Sequence, residues 1–414
     1  MQGSKRIAVI GAGIIGVQVA LRLQGDGHTV LLLDPDPPGD GCSFGNGGYI
    51  ATEEVLPLAS PGLLARVPAM LLNPKAPFTV RWQSIPGLLP WFLRFARACR
   101  PTQVARGIQV MNNLMKATPK AWSAVLEATN LQHLRLSNGF MRVFETNKGF
   151  EHFSAELEVQ KNHGVPFEVL SPARAMAKVP ALSNRIRQGI FYPEGSHLID
   201  PHLAVCDLAA SFVARGGEFR QLPLSGFEWL ENRVGAVLLP TSREEVDAVV
   251  VAAGIHSREI LKWARFRLPL AAERGYHVMM EGHVPELELP IVPVERGVII
   301  TPMRDGTRFA GTVEFGSPKA PPSRRRADIL LKAGREIFPN CKIREKSRWM
   351  GNRPTLPDYL PAIGVLSHVP NLFVATGHQH LGVTLAAVTA EIIAGMIRGE
   401  QDERWTALSP ERFG

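Results

Sequence analysis

Residues 7–34, IAVIGAGIIGVQVALRLQGDGHTVLLLD, limit what this chain can fold into more than any other stretch. The apolar run at residues 7–10 reads as a buried parallel strand, and residues 17–23 carry apolar side chains at helical spacing. Gly11, Gly13 and Gly16 therefore sit on a strand-to-helix turn. Gly11 allows the tight turn, Gly13 lets backbone approach a pyrophosphate with no Cβ in the way, and Gly16 lets the helix close on the strand. The amides of the first helical turn, around Ile14 and Ile15, then face the phosphates. Gly27 ends the helix, and HTVLLLD forms a second strand. Its last residue, Asp34, is placed to accept hydrogen bonds from a ribose 2′-OH and disfavours a 2′-phosphate. Strand, glycines, helix, strand and acid in this order hold an adenine dinucleotide; these residues alone leave NAD and FAD open.

At 414 residues the chain exceeds what one hydrophobic core organises, so two consecutive or interleaved domains are expected. Its 46 lysines and arginines against 38 acidic residues give a formal charge of +8. That balance favours acidic membrane surfaces, carboxylate substrates or phosphate cofactors. Nucleic acid is not an expected partner, since no recognition module or basic-aromatic stripe accompanies the charge. Cys42, Cys99, Cys206 and Cys341 lie far apart with no CxxC pair, so neither a metal site nor a disulfide framework is expected, and the compartment reads as reducing. The opening MQGSKRIAVIGAG lacks the apolar region of a secretory signal, and a cytoplasmic location is expected. Pro57, Pro61, Arg66, Pro68, Pro86 and Arg94 break the most apolar region below the roughly 20 residues of a spanning helix. Peripheral association with the inner face of the cell membrane stays open.

Further along, CSFGNGG at residues 42–48 suits either close approach of backbone to a flat ligand or a flexible surface loop. LLPWFLRFARACR is able to form a basic amphipathic helix, but a helix packed on its own core is the favoured reading, with Trp91, Phe92 and Phe95 as its apolar anchors. A helix is expected over residues 108–130, a strand over 139–145, and a helix opened by Pro201 and stopped by two glycines. DAVVVAAGIHS is an apolar strand reaching Gly254, a second place for backbone to lie against a dinucleotide. AAERGYHVMME, GVIITPM and TRFAGTVEFG predict an antiparallel sheet carrying polar groups into a pocket. A proline-pinned loop, a strand at residues 371–375, a glycine-rich turn and a helix over 382–398, with Thr384 in its first turn, close the chain. The arginines at 324–326 read as a solvated helix start.

Taken in order, GAGIIG with Asp34, SFGNGG, IDP at residues 199–201, VVVAAG, RPTLPD at 353–358 and TGHQHLGVT at 376–384 resemble the FAD-dependent D-amino acid dehydrogenase and oxidase superfamily. Within it the likeness is nearest to bacterial D-amino acid dehydrogenases and D-hydroxyproline dehydrogenases, and it covers nearly the whole chain. The resemblance implies a mixed α/β and α+β fold, with a Rossmann-type FAD-binding domain (residues 1–55, 197–262 and 345–414) interleaved with a substrate domain on an antiparallel sheet (56–196 and 263–344). It implies non-covalent FAD with its ADP half on Gly11, Gly13, Gly16 and Asp34. Ser43, Asn46 and Gly47 would lie near the flavin, the stretch from Gly377 through Gly382, Val383 and Thr384 would line its pyrimidine edge, and Gly48 and Gly254 are further expected cofactor contacts. Arg353 matches the arginine that grips the substrate carboxylate. Gly47, Gln379, His380 and Val383 depart from the commoner NAG and GHGTLGWT patterns, which bears on substrate range rather than chemistry.

A bidentate guanidinium fixes both the position and the plane of a carboxylate, so Arg353 is the expected anchor. The amine must be neutral before its α-hydrogen leaves as hydride for flavin N5. Tyr276, His277, His378 and His380 are the candidates to take its proton, His277 first, with direct loss to water as the alternative. The leading expectation is oxidation of a D-amino acid, D-proline or a hydroxylated D-proline, with electrons passed to a quinone or another carrier. The alternatives are an oxygen-using oxidase acting on sarcosine, glycine or a related amine, and a non-catalytic electron-transfer subunit.

Overall fold

The computed structural model describes residues 3–60, 62 and 78–413. Pro61, Arg66 and Pro68, three of the predicted helix-breaking positions, lie outside the described residues.

The buried runs Arg6–Ile10, Thr29–Leu33 and Ala248–Val251 become neighbouring strands of a six-stranded sheet. Its order is Glu218–Arg220, Thr29–Leu33, Arg6–Ile10, Ala248–Val251, Val369–Thr376 and Ala362–Leu366. The first five run parallel and the last returns antiparallel. Alternate side chains serve opposite faces. Ile7 and Val9 pack under the helices Ile14–Gly25, Pro201–Ala214 and Gly382–Ile397, whereas Ala8 and Ile10 meet Phe227, Val234 and Val237 of a small three-stranded sheet. Burial on both faces is why these strands read as unbroken apolar runs.

A second sheet runs Arg344–Thr355, Ala271–Glu281, Gly306–Phe315, Val298–Met303, Ile291–Pro293, Phe140–Phe144, Gln188–Tyr192 and Glu168–Leu170, with Phe78–Val80 attached to Gly306–Phe315. Its pairings are antiparallel except between Ile291–Pro293 and Phe140–Phe144 and at the Phe78–Val80 attachment. The three sequence runs expected to build an antiparallel sheet do so, in register from Glu273 opposite Phe315 to Glu281 opposite Gly306. Residues 345–355, expected with the first group of segments, add instead to this sheet beside Ala271–Glu281, because their backbone groups pair there. Tyr49–Ile50, Ser196–Leu198 and Arg135–Leu136 form a short connecting sheet.

One other expectation changes. Arg326 is buried rather than solvated, and the helix Arg324–Ile337 turns it toward the Glu314 carboxylate and the Tyr276 ring. Trp91 and Phe95 follow the favoured core reading: the helix Ile85–Ala98 packs them, with Phe92 partly covered, against Phe315 and Tyr359. Trp91 stacks on Phe95 at 5.6 Å, and its indole N–H donates to Thr355 O at 3.2 Å, which ties the helix to the strand carrying Arg353.

Candidate active site

The first site-forming element is the glycine turn. Gly11 has φ +111°, its amide donates to Leu33 O at 2.7 Å, and a methyl group there would stand 2.5 Å from Ala252 O. At Gly16 a methyl group would lie 1.8 Å from Gly11 O, so turn and helix are in backbone contact. Gly13 differs, because the only atom near its missing Cβ is Ser43 Oγ at 3.4 Å, an ordinary contact. The protein does not itself require glycine there. A ligand seated on the turn does, and this is the observation by which the chain fits a dinucleotide. The helix begins at Ile14, whose amide donates to Ser43 Oγ at 3.0 Å; the other first-turn amides, including that of Ile15, have no acceptor within the helix.

Asp34 closes the far side. Its Oδ2 accepts from the Ala12 amide at 2.7 Å and its Oδ1 from the Asp36 amide at 3.0 Å, which leaves a lone pair on each oxygen for a ribose hydroxyl. Burial raises its pKa, and the two amides oppose that. Gly254, at φ +53° with open space around its Cβ position, follows the next strand along and accepts from Thr376 Oγ1 at 2.9 Å. The turn, Asp34 and Gly254 thus gather at the carboxyl ends of adjacent parallel strands, where such sheets bind ligands.

SFGNGG proves to be a pinned loop, not a flexible one. Each carbonyl from Phe44 to Gly47 accepts a hydrogen bond from the second sheet. Arg308 Nη1 donates to Phe44 O at 3.2 Å and Asn46 O at 2.6 Å. His277 Nδ1 lies 3.1 Å from Gly45 O, and Thr301 Oγ1 donates to Gly47 O at 2.8 Å. Asn46 bridges inward, its Oδ1 accepting from the Gly48 amide at 2.8 Å and its Nδ2 reaching His380 O at 3.4 Å. Gly48, at φ +73°, could not carry a side chain without meeting Leu198 O at 2.8 Å.

Arg353 lies on the neighbouring strand, with its guanidinium in the space a side chain at Gly275 would fill. Glu273, opposite Arg353 in the register, is buried and accepts from Arg353 Nη1 at 3.0 Å, Thr355 Oγ1 at 3.0 Å and Tyr359 Oη at 3.4 Å. Glu273 so anchors the guanidinium through Nη1 alone, over the backbone of Gly275, while Nη2 and Nε have no partner among the described residues and suit a second carboxylate. Above this strand the Gly377 turn leads into Gly382–Ile397: the Gln379 amide donates to Pro354 O at 3.1 Å, and Thr355 bridges to His378. Val383 and Thr384 are buried, their carbonyls taking the Trp122 indole N–H at 3.0 and 3.2 Å. Thr384 Oγ1 also accepts from the Ala51 amide at 3.1 Å, so the helix start is locked to the loop beyond Gly48. That loop ends in Glu53 and Glu54, both paired with Arg142, at 3.1 and 2.5 Å.

The four candidate proton acceptors fall in different places. Tyr276 and His277 occupy opposite faces of one strand. Tyr276 Oη donates to Glu314 Oε1 at 3.1 Å and accepts from the Ser323 amide at 3.2 Å, a closed arrangement on the far side from Arg353. His277 lies between Phe44 and Trp349, ring centroids at 6.5 and 5.3 Å, and burial, then the charge of Arg308, push its pKa down to about 3. It holds the loop and stays neutral, which makes it a weak base at ordinary pH. His378 turns into the closing helix, Nε2 at 2.9 Å from Thr389 Oγ1, with burial taking its pKa to about 3. His380 alone of the four is half-buried among site charges: burial lowers its pKa, Glu54 and Glu273 oppose this, and Arg353 adds to it.

The state of His378 has a stability consequence. Its folded pKa lies below the ordinary 6.5, so its contribution is complete above pH 6.5 and is lost as pH falls toward 3. Relative to His378→Gln, the parent protein should lose about 1.4 kcal/mol of unfolding free energy per pH unit below that point. Denaturant midpoints of both proteins across the acid range measure this, and parallel curves would refute it.

Glu273, Arg308 and the Arg142–Glu53–Glu54 group escaped the sequence reading. The first two had a signal, a charged residue inside an apolar strand pattern, in AAERGYHVMM and TRFAGTVEF. Glu53 and Glu54 had none, since only the tertiary structure brings Arg142 to them.

Residues 6–396 match the family model described as DAO, FAD dependent oxidoreductase. The chain is 31% identical to a D-amino-acid oxidase of Bradyrhizobium diazoefficiens, covering 100% of both proteins. It is also 31% identical to a D-amino acid dehydrogenase of Dechloromonas aromatica, covering 96% of this chain and 98% of that one. Among solved structures, L-proline dehydrogenase from P. horikoshii superposes over 100% of this chain and 98% of its own with a TM-score of 0.78 at 19% identity, a likeness of fold.

Proposed function

The chain belongs to the DAO family of FAD-dependent oxidoreductases, and on that footing we propose that it oxidises a D-amino acid at the Cα–N bond to the imino acid, handing the electrons to a quinone or another carrier. The observation that carries this reading is the Arg353 guanidinium, held over Gly275 by Glu273 with Nη2 and Nε open to a substrate carboxylate. What FAD supplies when bound is a two-electron sink for the α-hydride at N5.

The chain's own residues do the positioning. Gly11, Gly13, Gly16 and Asp34 would hold the cofactor's adenine half, Gly254 would lie along the dinucleotide, and Ser43 with the pinned backbone of residues 46–48 would lie by the ring system. Arg353 sets the substrate's carboxylate and therefore where its α-hydrogen points. His380 takes the place foreseen for His277 as the acceptor of the amine proton, since it is half-buried within the field of Glu54, Glu273 and Arg353 while His277 is committed to Gly45. The amino end of Gly382–Ile397 favours negative charge developing beside it without a basic side chain. The proposed units follow the sheets, with residues 1–55, 197–262 and 356–414 holding the cofactor and 56–196 and 263–355 the substrate. D-proline and hydroxy-D-proline lead as substrates because their oxidation gives a stable cyclic imine. The name of the Bradyrhizobium relative favours an oxygen-using oxidase as the second reading.

The test is an anaerobic titration of the FAD-loaded protein with D- and L-amino acids, both prolines and hydroxyprolines included. Bleaching of the flavin band at about 450 nm by a D-amino acid alone supports the reading. Fast peroxide formation in air with no other acceptor moves it to an oxidase. Flavin that no amino acid bleaches overturns the substrate class and brings the electron-transfer subunit forward.

A further inference from the structure

Residues 55–126 contain nine lysines and arginines and no aspartate or glutamate, against a formal charge of +8 for the whole chain. The positive charge of the protein is therefore concentrated in one stretch, and the remainder is close to neutral. The structure gathers much of it around a single cavity of about 550 Å³ beside the helices Ile85–Ala98 and Pro101–Thr129. Arg94, Arg97, Arg100, Arg106 and Arg412 line it, with Asp358 as the one acidic side chain. Asp358 is already taken by Arg412, at 2.7 and 3.2 Å. Among the described residues, Arg94, Arg97, Arg100 and Arg106 form no ion pair, and residues 61–77 have no carboxylate to offer them.

Beside this cavity, the helix that buries Trp91 and Phe95 is apolar on its outer side as well. Ile85, Leu89 and Leu93 are 43%, 54% and 57% exposed, and Trp82, just before the helix, is 76% exposed. Spacing of four puts Ile85, Leu89, Leu93 and Arg97 on one stripe, so the exposed apolar surface runs directly into the arginine-lined cavity. Apolar side chains that enter the acyl boundary, flanked by arginines at headgroup level, are the composition of a helix lying in a membrane interface.

We propose that this face docks on an anionic phospholipid bilayer, with Trp82, Ile85, Leu89 and Leu93 entering the interface and the arginine-lined cavity receiving phosphate headgroups. The inner side of the same helix holds the strand of Arg353 through Trp91 and Thr355, so docking brings the substrate site to the membrane surface, where lipid-soluble electron acceptors reside. The inference goes beyond the proposed oxidation and does not depend on it, because vesicle binding needs no turnover.

FAD-loaded protein should co-sediment with vesicles of equal parts phosphatidylcholine and phosphatidylglycerol and stay in solution with phosphatidylcholine alone. At about fivefold per arginine, Arg94→Gln/Arg97→Gln/Arg100→Gln should bind the anionic vesicles about a hundredfold more weakly. Leu89→Ser/Leu93→Ser should lose whatever binding survives about 0.5 M salt, where charge attraction is screened. Both variants change exposed residues and should keep the parent's flavin spectrum and melting temperature, which separates lost docking from lost fold. Failure to bind anionic vesicles, or binding unchanged in both variants, overturns the proposal. So does arginine-dependent binding of inorganic pyrophosphate without vesicle capture, which would make the cavity a site for a soluble polyanion.

Discussion

Replacing Arg353 by alanine is expected to lower kcat/KM by on the order of a thousandfold, about 4 kcal/mol, for whichever amino acid reduces the bound flavin. Two effects combine. The substrate carboxylate loses its fork of donors, and with it the orientation of the α-hydrogen. Glu273, buried and bonded to Arg353 Nη1 at 3.0 Å, loses its one ion-pair partner among the described residues and keeps Thr355 and Tyr359 as donors. Removing one member of a buried pair costs about 3–5 kcal/mol, so the melting temperature should fall as well. Arg353→Lys separates the two effects: the charge opposite Glu273 remains and most of the stability with it, while the planar fork is gone. KM should then rise strongly at a nearly unchanged melting temperature. Steady-state kinetics and thermal melts of both variants decide the matter, and full activity in the alanine variant would remove Arg353 from the site.

The second large effect lies in the glycine turn, where two similar substitutions should fail differently. Gly16→Ala puts a methyl group 1.8 Å from Gly11 O, a backbone atom that cannot step aside without opening the turn. The apoprotein itself should lose about 3 kcal/mol or more, or fail to accumulate. Gly13→Ala meets only Ser43 Oγ at 3.4 Å, so the apoprotein should melt close to the parent. Its FAD affinity should drop by about two orders of magnitude, because the methyl group occupies the approach of the pyrophosphate. Melting curves with and without added FAD distinguish the two. Normal FAD binding by Gly13→Ala would place the cofactor elsewhere.

The dinucleotide-binding turn was legible because local rules agreed, whereas FAD and the oxidoreductase family were implied by the resemblance of the motifs taken in order. A strand, three glycines at set spacing, a helix and a second strand ending in Asp34 each depend on neighbours a few residues away, and the structure sets them as those spacings require. The three runs forming the antiparallel strands around Gly275 were legible for the same reason, as was the helix opened by Asp200 and Pro201. Local periodicity could not decide among residues of equal chemistry. His277, His378 and His380 look alike as letters; their surroundings differ, with Gly45 O beside the first, Thr389 beside the second and the field of Glu54, Glu273 and Arg353 acting on the third.

From its sequence alone this protein is determined to be a dinucleotide-binding chain, since those signals sit in contiguous residues whose geometry short-range sterics dictate, and the order of its motifs marks the likeness to FAD-dependent oxidoreductases. Only the tertiary structure decided that Glu273 orients Arg353, that Arg308 and His277 pin the SFGNGG loop, and that Trp91 and Phe95 face inward while Leu89 and Leu93 face out. Each of these joins residues far apart in the chain, and a helix apolar on two sides gives no local sign of which side its neighbours will cover.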